Sequence, residues 1–370
     1  MRLPNPDRSR RTLGLWLLVL ALVGGAILLA VQLLLGVVNH PRPDEAVGTM
    51  LLGAVLAFPS GAFYLTVPRL LDRYDPEPWY ALFGCLAWGA LVATSISALV
   101  NTCVGTMAAF MLGPAHGTTV AAVLSAPLVE ETLKGIGVWG VFHFLRREFD
   151  GVVDGVIYAT FIALGFATVE NVIYYARAAA EGAPVLALTV FLRGLLSPWC
   201  HPLFTAMTGI GLGIARESTR PIVRYGAPVL GWSAAVFLHF VWNGTASLGS
   251  GELFLLMLPL WLLFVGGFLV LVIVLVGRRG RIIRQHLLDE IALGTLERRE
   301  VEVAASAFGL LRARIRHGPR GAELVRAIAR LALSKWHAAR AMQGGTHTVS
   351  LDFIVPLRER VRALRAQVRL

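Results

Sequence analysis

The 370-residue sequence has few charged residues and few cysteines. Only 15% of its residues are charged and 56% are hydrophobic, whereas about a quarter of the residues in ordinary soluble domains are charged. This composition argues against a large soluble core and predicts several membrane spans. The three cysteines, Cys85, Cys103 and Cys200, have no CxxC spacing. Their spacing argues against a disulfide framework and against a thiolate metal site.

Eight apolar segments approach or exceed the roughly 20 residues that a helix needs to cross a bilayer. They are residues 13–38, 46–67, 79–103, 118–145, 152–175, 185–215, 226–247 and 253–276. Short loops join them, so we expect consecutive helices to be antiparallel neighbours. The predicted fold class is therefore all-α, a polytopic transmembrane helix bundle over residues 1–276. The first segment is interpreted as a retained helix, because its apolar run is longer than that of a typical signal peptide.

The net charge of +11 belongs to the C-terminal tail. Residues 277–370 contain 19 Lys and Arg and 8 Asp and Glu, and the remaining 276 residues are neutral overall. Arginine alternates there with apolar residues at helical spacing, which predicts a small, basic, helical cytoplasmic domain with breaks at Gly344, Gly345 and Pro356. We expect this tail to contact anionic lipids or a regulator. No nucleic-acid-binding module is recognisable, so no nucleic acid is expected as a partner.

The arginines that flank the apolar segments lie mainly on one side. One alternating set of flanks carries 15 arginines, from Arg2 to Arg284, and the other set contains only Arg42 and Arg177. Positively charged flanks stay on the cytoplasmic side of a membrane. Both termini are therefore predicted to lie inside, and the alternation holds at every turn only with eight spans.

Three ionisable residues interrupt the fourth apolar segment. Glu130, Glu131 and Lys134 lie within five residues of one another, at a depth where each charge costs roughly 2.5–3.5 kcal/mol. Lys134 can pair with Glu130 at spacing i,i+4 or with Glu131 at i,i+3. One such pair would be enough to fix helix packing, so the second carboxylate indicates a functional role.

Further polar residues lie on the next three segments. They are Glu170 and Asn171 on the fifth, His201 on the sixth, and His239 and Asn243 on the seventh. Each of them, taken singly, is typical of a residue that packs or hydrogen-bonds between helices. Counted at 1.5 Å per residue, all of them can lie in one layer with the glutamates of the fourth segment. Two or three carboxylates with two imidazoles predict a divalent-metal site, with a remaining carboxylate as general base.

The sixth segment is predicted to be broken. Pro198 and Pro202 lie in its middle, and proline removes a backbone donor and kinks a helix. Irregular backbone at membrane depth is tolerated where it lines a cavity. Arg193, in the same segment, either pairs with a carboxylate or extends toward the membrane surface.

Four sequence motifs on separate segments resemble those of the PrsW-like intramembrane metalloproteases. They are EETLK (130–134), GFATVEN (165–171), HPLFTA (201–206) and HFVWN (239–243). The loop DRYDPEPW (72–79) is similar to an acidic inner loop of that family. The wider group includes CAAX-prenyl proteases and bacteriocin-immunity-type proteins, in which FxxxH replaces the Phe166–Glu170 pattern. The resemblance covers about residues 60–250 and leaves the tail out.

The resemblance implies a metallo-endopeptidase in a bacterial cytoplasmic membrane, with zinc as the expected ion. The expected metal ligands are Glu131, Glu170, His201 and His239. The expected catalytic residues are Glu130, Glu131, Lys134, Glu170, Asn171 and Asn243. Glu130 and Glu131 would supply a base and a ligand, in an order that stays open, and Lys134 would restrain one of them. The two asparagines would orient ligands or hold the developing oxyanion.

The implied substrate is a membrane-associated protein, and alternatives to proteolysis stay open. A regulatory substrate of the anti-sigma type, which the namesake cleaves, is one candidate. The chain lacks the motifs of other intramembrane proteases: it has no HExxH, no GxSG at a helix start and no GxGD. A transporter or a non-catalytic regulatory protein could use the same Glu/His cluster. The Glu–Glu segment has no second copy, which argues against a repeat-based transporter.

Overall fold

The computed structural model describes residues 6–72, 76–146, 148–247, 251–343, 350–368 and 370. All regular secondary structure in these residues is helical, which confirms the predicted all-α bundle and the helical tail. Part of the loop at 72–79 and the predicted breaks at Gly344 and Gly345 lie outside the described residues, as do Arg2, Arg73 and Arg147 of the orientation pattern. The predicted break at Pro356 is wrong, because this proline lies inside the helix Ser350–Arg365.

The described residues contain fourteen helices, numbered in chain order. They are α1 (Pro6–Val38), α2 (Pro43–Tyr64), α3 (Pro68–Leu71), α4 (Trp79–Leu112), α5 (114–144), α6 (Val152–Glu181), α7 (183–196), α8 (Cys200–Glu217), α9 (Pro221–Ser247), α10 (Gly251–His286), α11 (Leu288–Ala292), α12 (Arg298–Ala305), α13 (Gly309–Gln343) and α14 (Ser350–Arg365).

Three of these helices contain π-helical turns. They are Trp88–Ala93 in α4, Ala121–Ser125 in α5 and Val190–Leu196 at the end of α7. A π turn contains an extra residue and is frequent at functional sites. The predicted break of the sixth segment is confirmed, because residues 197–199 separate α7 from α8. Pro202 lies in the first turn of α8, where its missing N–H costs little.

Seven helical stretches of the described chain are long and apolar enough to cross a membrane. They are Ser9–Val38, Pro43–Tyr64, Trp79–Leu112, Val152–Glu181, Ala183–Glu217, Pro221–Ser247 and Leu258–His286. The predicted segment that is missing from this set is the fourth, 118–145. Its residues 118–144 are helical within α5, but Glu130, Glu131 and Lys134 make it less apolar than the others. The location of both termini inside stays a prediction.

The chain divides into two compact units. Unit 1 comprises Met1–Arg69 and Glu77–Phe268, and unit 2 comprises Leu70–Pro76 and Leu269–Leu370. The division falls within α10, a few residues before the domain boundary that the sequence predicts after residue 276. All the candidate site residues belong to unit 1, and the whole basic tail, residues 277–370, belongs to unit 2.

Helix α6 forms the centre of unit 1. Of its most apolar stretch, 72% is buried, and it packs against α2, α4 and α8. Glycines allow this close approach: a Cβ on Gly155 would lie 2.2 Å from the Gly209 carbonyl oxygen, and a Cβ on Gly165 would lie 2.1 Å from that of Leu86. Small residues let helix backbones meet in membranes. The Gly155–Gly209 contact positions α8, which carries His201, beside α6, which carries Glu170.

Unit 2 has its own hydrophobic core, built around Leu287, Leu324 and Ile328. Glu290 is fully buried in this unit and accepts hydrogen bonds from Lys335 Nζ at 3.0 Å and Arg358 Nη2 at 2.6 Å. Burial by itself would raise the pKa of Glu290, but the hydrogen bonds and charges of Arg358 and Lys335 hold that pKa below its ordinary value. The ion pairs therefore stabilise unit 2 when Glu290 is ionised.

Substitution of Gly209 tests the contact between α6 and α8. We expect Gly209→Ala to destabilise the protein in detergent by about 1–3 kcal/mol, because the added methyl group would overlap the Gly155 carbonyl oxygen. Thermal unfolding measures the change. Gly140→Ala is the matched control: no atom lies within 4 Å of that position, so alanine should be neutral or slightly stabilising there. Equal melting temperatures for the two variants would contradict the close approach.

The buried ion pairs of Glu290 predict a pH dependence of unit 2. Because the pKa of Glu290 is lowered on folding, its contribution is complete above the ordinary carboxyl pKa and is lost as pH falls through the lowered value. Glu290→Gln should remove this dependence and destabilise unit 2 by about 3 kcal/mol, since Arg358 and Lys335 lose their anion. Hydrogen exchange in α11–α14, corrected for intrinsic rates, measures both effects.

Glu302→Gln is the control for Glu290→Gln. Glu302 is exposed and pairs with Arg284 at 3.0 Å, so its loss should cost less than about 1 kcal/mol. If Glu302→Gln changed hydrogen exchange as much as Glu290→Gln does, the prediction that the buried ion pairs stabilise unit 2 would be wrong.

Candidate metal centre

Three helices bring potential metal ligands together inside unit 1. Glu130 on α5, His201 on α8 and His239 on α9 each offer one ligand atom, and these atoms lie within 4.8 Å of one another. Glu130 and His239 are buried, and His201 is partly buried. Glu130 Oε2 lies 3.9 Å from His239 Nε2, and the two imidazole rings are 5.1 Å apart at an angle of 85°. The structure therefore brings together predicted site residues from three predicted spans.

Lys134 places a cation beside these groups. Its Nζ lies 2.9 Å from Glu131 Oε1, 3.4 Å from Glu130 Oε2 and 3.2 Å from His201 Nδ1. It also lies 3.9 Å from the centre of the Phe166 ring, and the side chain is fully buried. Both pairings that the sequence left open are present. Glu130 Oε2 and His201 Nδ1 therefore both lie close to one positive charge.

Glu131 is the most completely hydrogen-bonded carboxylate of the cluster. Its Oε1 accepts from Lys134 and from His239 Nδ1 at 3.1 Å, and its Oε2 accepts from Thr205 Oγ1 at 2.9 Å. An ionised carboxylate is only an acceptor, so Nδ1 of His239 carries the proton. When this imidazole is neutral, its lone pair is on Nε2, the nitrogen that faces Glu130 at 3.9 Å.

Glu170 on α6 connects His201 to Arg193. Its Oε2 lies 3.1 Å from His201 Nε2 and 2.5 Å from Arg193 Nη2. Arg193 Nε donates to Asn171 Oδ1 at 2.8 Å, and the guanidinium lies 3.8 Å from the centre of the Tyr174 ring. Of the two alternatives for Arg193, pairing with a carboxylate is confirmed. By the same reasoning, Nε2 of His201 carries the proton and Nδ1 has the lone pair.

The outer contacts of the cluster involve three amide side chains. Asn101 Nδ2 lies 3.4 Å from Glu130 Oε1, and Ser125 Oγ donates to Asn101 Oδ1 at 2.7 Å. Asn243 Nδ2 donates to the Ala122 carbonyl in the π turn of α5 at 2.9 Å. Asn243 therefore links α9 to α5 outside the cluster, and Asn171 reaches Arg193.

Sequence reasoning missed some of these neighbours. Asn101 and Thr205 were visible as polar residues in apolar segments, but their positions did not indicate which carboxylate they would contact. Ser125 precedes the Glu–Glu motif by about one turn, and nothing in its spacing distinguished it from an ordinary helix serine.

The cluster is more open on the side of Glu170. The exposed fraction of the side chain rises from 0% at Glu131 and Lys134 to 13% at His201 and 25% at Arg193. The Glu170–Arg193 pair therefore forms the accessible edge of the site, and Glu131 forms its closed end.

The donor set fits a divalent metal ion. Two imidazole nitrogens and one carboxylate are a common three-ligand set of catalytic zinc sites. The second nitrogen of each histidine is hydrogen-bonded to a carboxylate: that of His239 to Glu131 and that of His201 to Glu170. Such outer partners fix the ring orientation and tautomer of metal-binding histidines.

Comparison with known proteins places the chain in a family. Residues 77–276, more than half of the chain, match the PrsW family of intramembrane metalloproteases. Protease PrsW of Geobacillus kaustophilus is 32% identical over 163 residues, which cover 43% of this chain and 65% of the relative. Protease PrsW of Bacillus subtilis is 30% identical over 162 residues, which cover 43% of this chain and 66% of the relative. No solved structure matches the chain.

The matched region contains every residue of the metal-ligand group. The chain spans just under two thirds of the length of these curated relatives, and the match includes Glu130, His201 and His239. Together with the apolar helices, this match identifies an integral membrane protein. The chain belongs to the PrsW family of intramembrane metalloproteases.

Proposed function

We propose that the protein is a membrane metallo-endopeptidase that hydrolyses a peptide bond of a membrane-associated protein. The main support is the convergence of one buried carboxylate and two imidazoles, from three helices, within 4.8 Å. Membership of the PrsW family supports peptide-bond hydrolysis as the reaction.

Glu130, His201 and His239 are the proposed metal ligands, and zinc suits this set. A bound divalent ion would polarise the scissile carbonyl and make a water molecule more acidic. Glu131 and Glu170, which the sequence indicated as ligands, are proposed to have a positioning role. Each of them already holds the proton-bearing nitrogen of one histidine.

The positioning groups direct both lone-pair nitrogens toward the centre of the cluster. Glu131 holds Nδ1 of His239, so that Nε2 faces Glu130. Glu170 holds Nε2 of His201, so that Nδ1 faces Lys134. Arg193 neutralises Glu170 at the accessible edge and limits the positions that this carboxylate can take.

Glu130 is the proposed proton-transfer group. Its contacts with Lys134 and Asn101 are both 3.4 Å, longer than those of Glu131, so it is the least constrained of the three carboxylates. Oε2 faces the ligand group, and Oε1 would take a proton from water and return it to the leaving amine. The ammonium of Lys134 would stabilise negative charge that develops on the peptide oxygen.

The substrate is proposed to approach from the side of Glu170, where the cluster is more open. A regulatory substrate of the anti-sigma type stays a prediction from the family resemblance. The bacterial cytoplasmic membrane and the inside location of both termini are part of the same proposal, supported by the family and by the arginine pattern.

Metal binding tests the ligand assignment without a known substrate. The purified full-length protein should hold about one zinc ion per chain, and His201→Gln and His239→Gln should abolish this binding. Glu131→Gln should weaken binding about 10- to 100-fold, because it loosens an outer partner of His239. Elemental analysis and chelator competition measure these effects. Glu181→Gln, an exposed change at the end of α6, is the control and should bind normally.

The proposed ligand assignment would be wrong if wild-type protein purified with added zinc retained no metal. It would also be wrong if either histidine variant bound zinc as tightly as the wild type. An intermediate loss confined to Glu131→Gln would support the positioning role of that residue.

Glu130→Gln tests the proposed reaction. We expect cleavage to fall by at least about 10²- to 10⁴-fold, because the amide can neither accept the proton nor bind the metal ion as a carboxylate does. Mass spectrometry of protein N-termini, in membranes from cells that express wild type or variant, measures cleavage of whichever membrane protein is the substrate. Glu181→Gln should match the wild type, and equal melting temperatures would show that Glu130→Gln still folds.

Identical sets of N-termini with wild type and Glu130→Gln would contradict the protease proposal. If the variant instead altered the flux of a solute and no peptide bond were cut, the transporter alternative would be favoured.

A further inference from the structure

A short stretch of unit 2, residues 308–317, presents apolar side chains outward; we refer to it as the surface segment. Phe308, Leu311 and Ile315 are 61%, 53% and 74% exposed. Gly309 and Ala313 of the same segment are buried. The segment therefore packs on unit 2 with small residues and exposes its large apolar ones, the reverse of an ordinary surface helix.

The exposed apolar residues form one stripe with arginines on both sides. At 100° per residue, Leu311 and Ile315 fall within about 40° of one another on α13, and Phe308 immediately precedes this helix. Arg312 and Arg314 lie on opposite flanks of this stripe, and the buried positions 309 and 313 lie on the far side. Arginines on the flanks can place their apolar stems along such a stripe and keep their charges at its border.

The charge around the stripe has a single sign. Residues 303–322 contain no Asp or Glu, and their basic residues are Arg312, Arg314, Arg316 and Arg320. Within the described chain, no carboxylate pairs with Arg312, Arg314 or Arg316. Arg358 and Arg365, in contrast, are paired with the buried Glu290 and Glu300. The surface segment thus carries positive charge that is available to an anionic partner.

A backbone feature separates the surface segment from the rest of α13. Gly318 has φ +66°, a left-handed conformation that favours glycine, and Pro319 follows it. The helix is kinked at this point. The residues beyond the kink, including Leu324 and Ile328, are in the core of unit 2.

We propose that the surface segment docks on the anionic surface of the bilayer that surrounds unit 1. Phe308, Leu311 and Ile315 enter the boundary between headgroups and acyl chains, and the flanking arginines contact lipid phosphates. Only residues 287–307 separate this segment from the end of the candidate span Leu258–His286. The segment is therefore tethered close to the bilayer. This raises its effective concentration at the membrane surface, so that even a short segment can dock.

An anionic lipid surface is favoured over an acidic protein partner by the pattern of the residues. The stripe is narrow and purely apolar, and its charges lie at both borders, the arrangement of helices that lie in a membrane interface. The proposal does not depend on the proteolytic activity.

A spin label on the stripe tests the proposal in the full-length protein. Ile315→Cys is labelled in a Cys103→Ser background, because Cys103 is exposed and the other two cysteines are buried. The protein is placed in nanodiscs of phosphatidylcholine, with or without phosphatidylglycerol. Collisions with oxygen report lipid and collisions with a nickel chelate report water. We expect the oxygen-to-nickel ratio to rise in the anionic nanodiscs and to fall again with added salt.

Neutralising the flanking arginines distinguishes the effect of the surface segment on docking from the effect of the tail's net charge. Each arginine near an anionic surface contributes about fivefold to binding, so Arg312→Gln/Arg314→Gln/Arg316→Gln should reduce docking on the order of 100-fold. Arg298→Gln/Arg299→Gln/Arg326→Gln removes the same charge from exposed positions elsewhere in unit 2 and should dock normally. Circular dichroism shows whether both triple variants keep their helices.

Three outcomes would overturn the proposal. High nickel access in both kinds of nanodisc would show that the stripe stays in water. Low access to both reagents would show that protein covers it. Equal loss of docking in the two triple variants would show that overall charge, and not the surface segment, attracts the unit to lipid.

Discussion

A charge in the interior of an apolar helix bundle persists only with a partner within hydrogen-bonding distance. The site of this protein satisfies that constraint with two cations. Lys134 contacts Glu130 and Glu131, and Arg193 contacts Glu170. Arg193 and Glu170 come from α7 and α6, so their pairing also positions these two helices. The Lys134 pairs lie within α5, and α5 meets α8 through the contact of Lys134 with His201. The polar chemistry and the architecture of unit 1 therefore depend on the same contacts.

Close packing of backbones makes this pairing possible. Gly155 and Gly209 let α6 and α8 meet without intervening side chains, which brings Glu170 within 3.1 Å of His201. Glu131 accepts hydrogen bonds from Lys134, Thr205 and His239. Because His239 lies on α9, these contacts also hold α9 at the cluster. A rigid helical frame is suited to holding catalytic groups in fixed positions.

The sequence allowed the all-α fold to be predicted, and it indicated residues that the structure brings into one cluster, because ionisable residues in long apolar runs are conspicuous. It did not allow the roles within the cluster to be predicted. Glu131 and Glu170 were expected as ligands, and their spacing did not indicate that each would also contact a histidine nitrogen. Asn243 shares a face with His239, yet the π turn of α5 offers it the Ala122 carbonyl. Such differences depend on helix rotation and local winding, which composition and spacing do not encode.

The π turn at Val190–Leu196 makes the geometry of the site depend on the number of residues in α7. A π turn corresponds to one residue more than an α-helix would use for the same path. Loss of that residue would rotate the preceding part of α7 by about 100° relative to α8 and carry Arg193 away from Glu170. A single-residue deletion here would therefore change the accessible edge of the site more than many substitutions would.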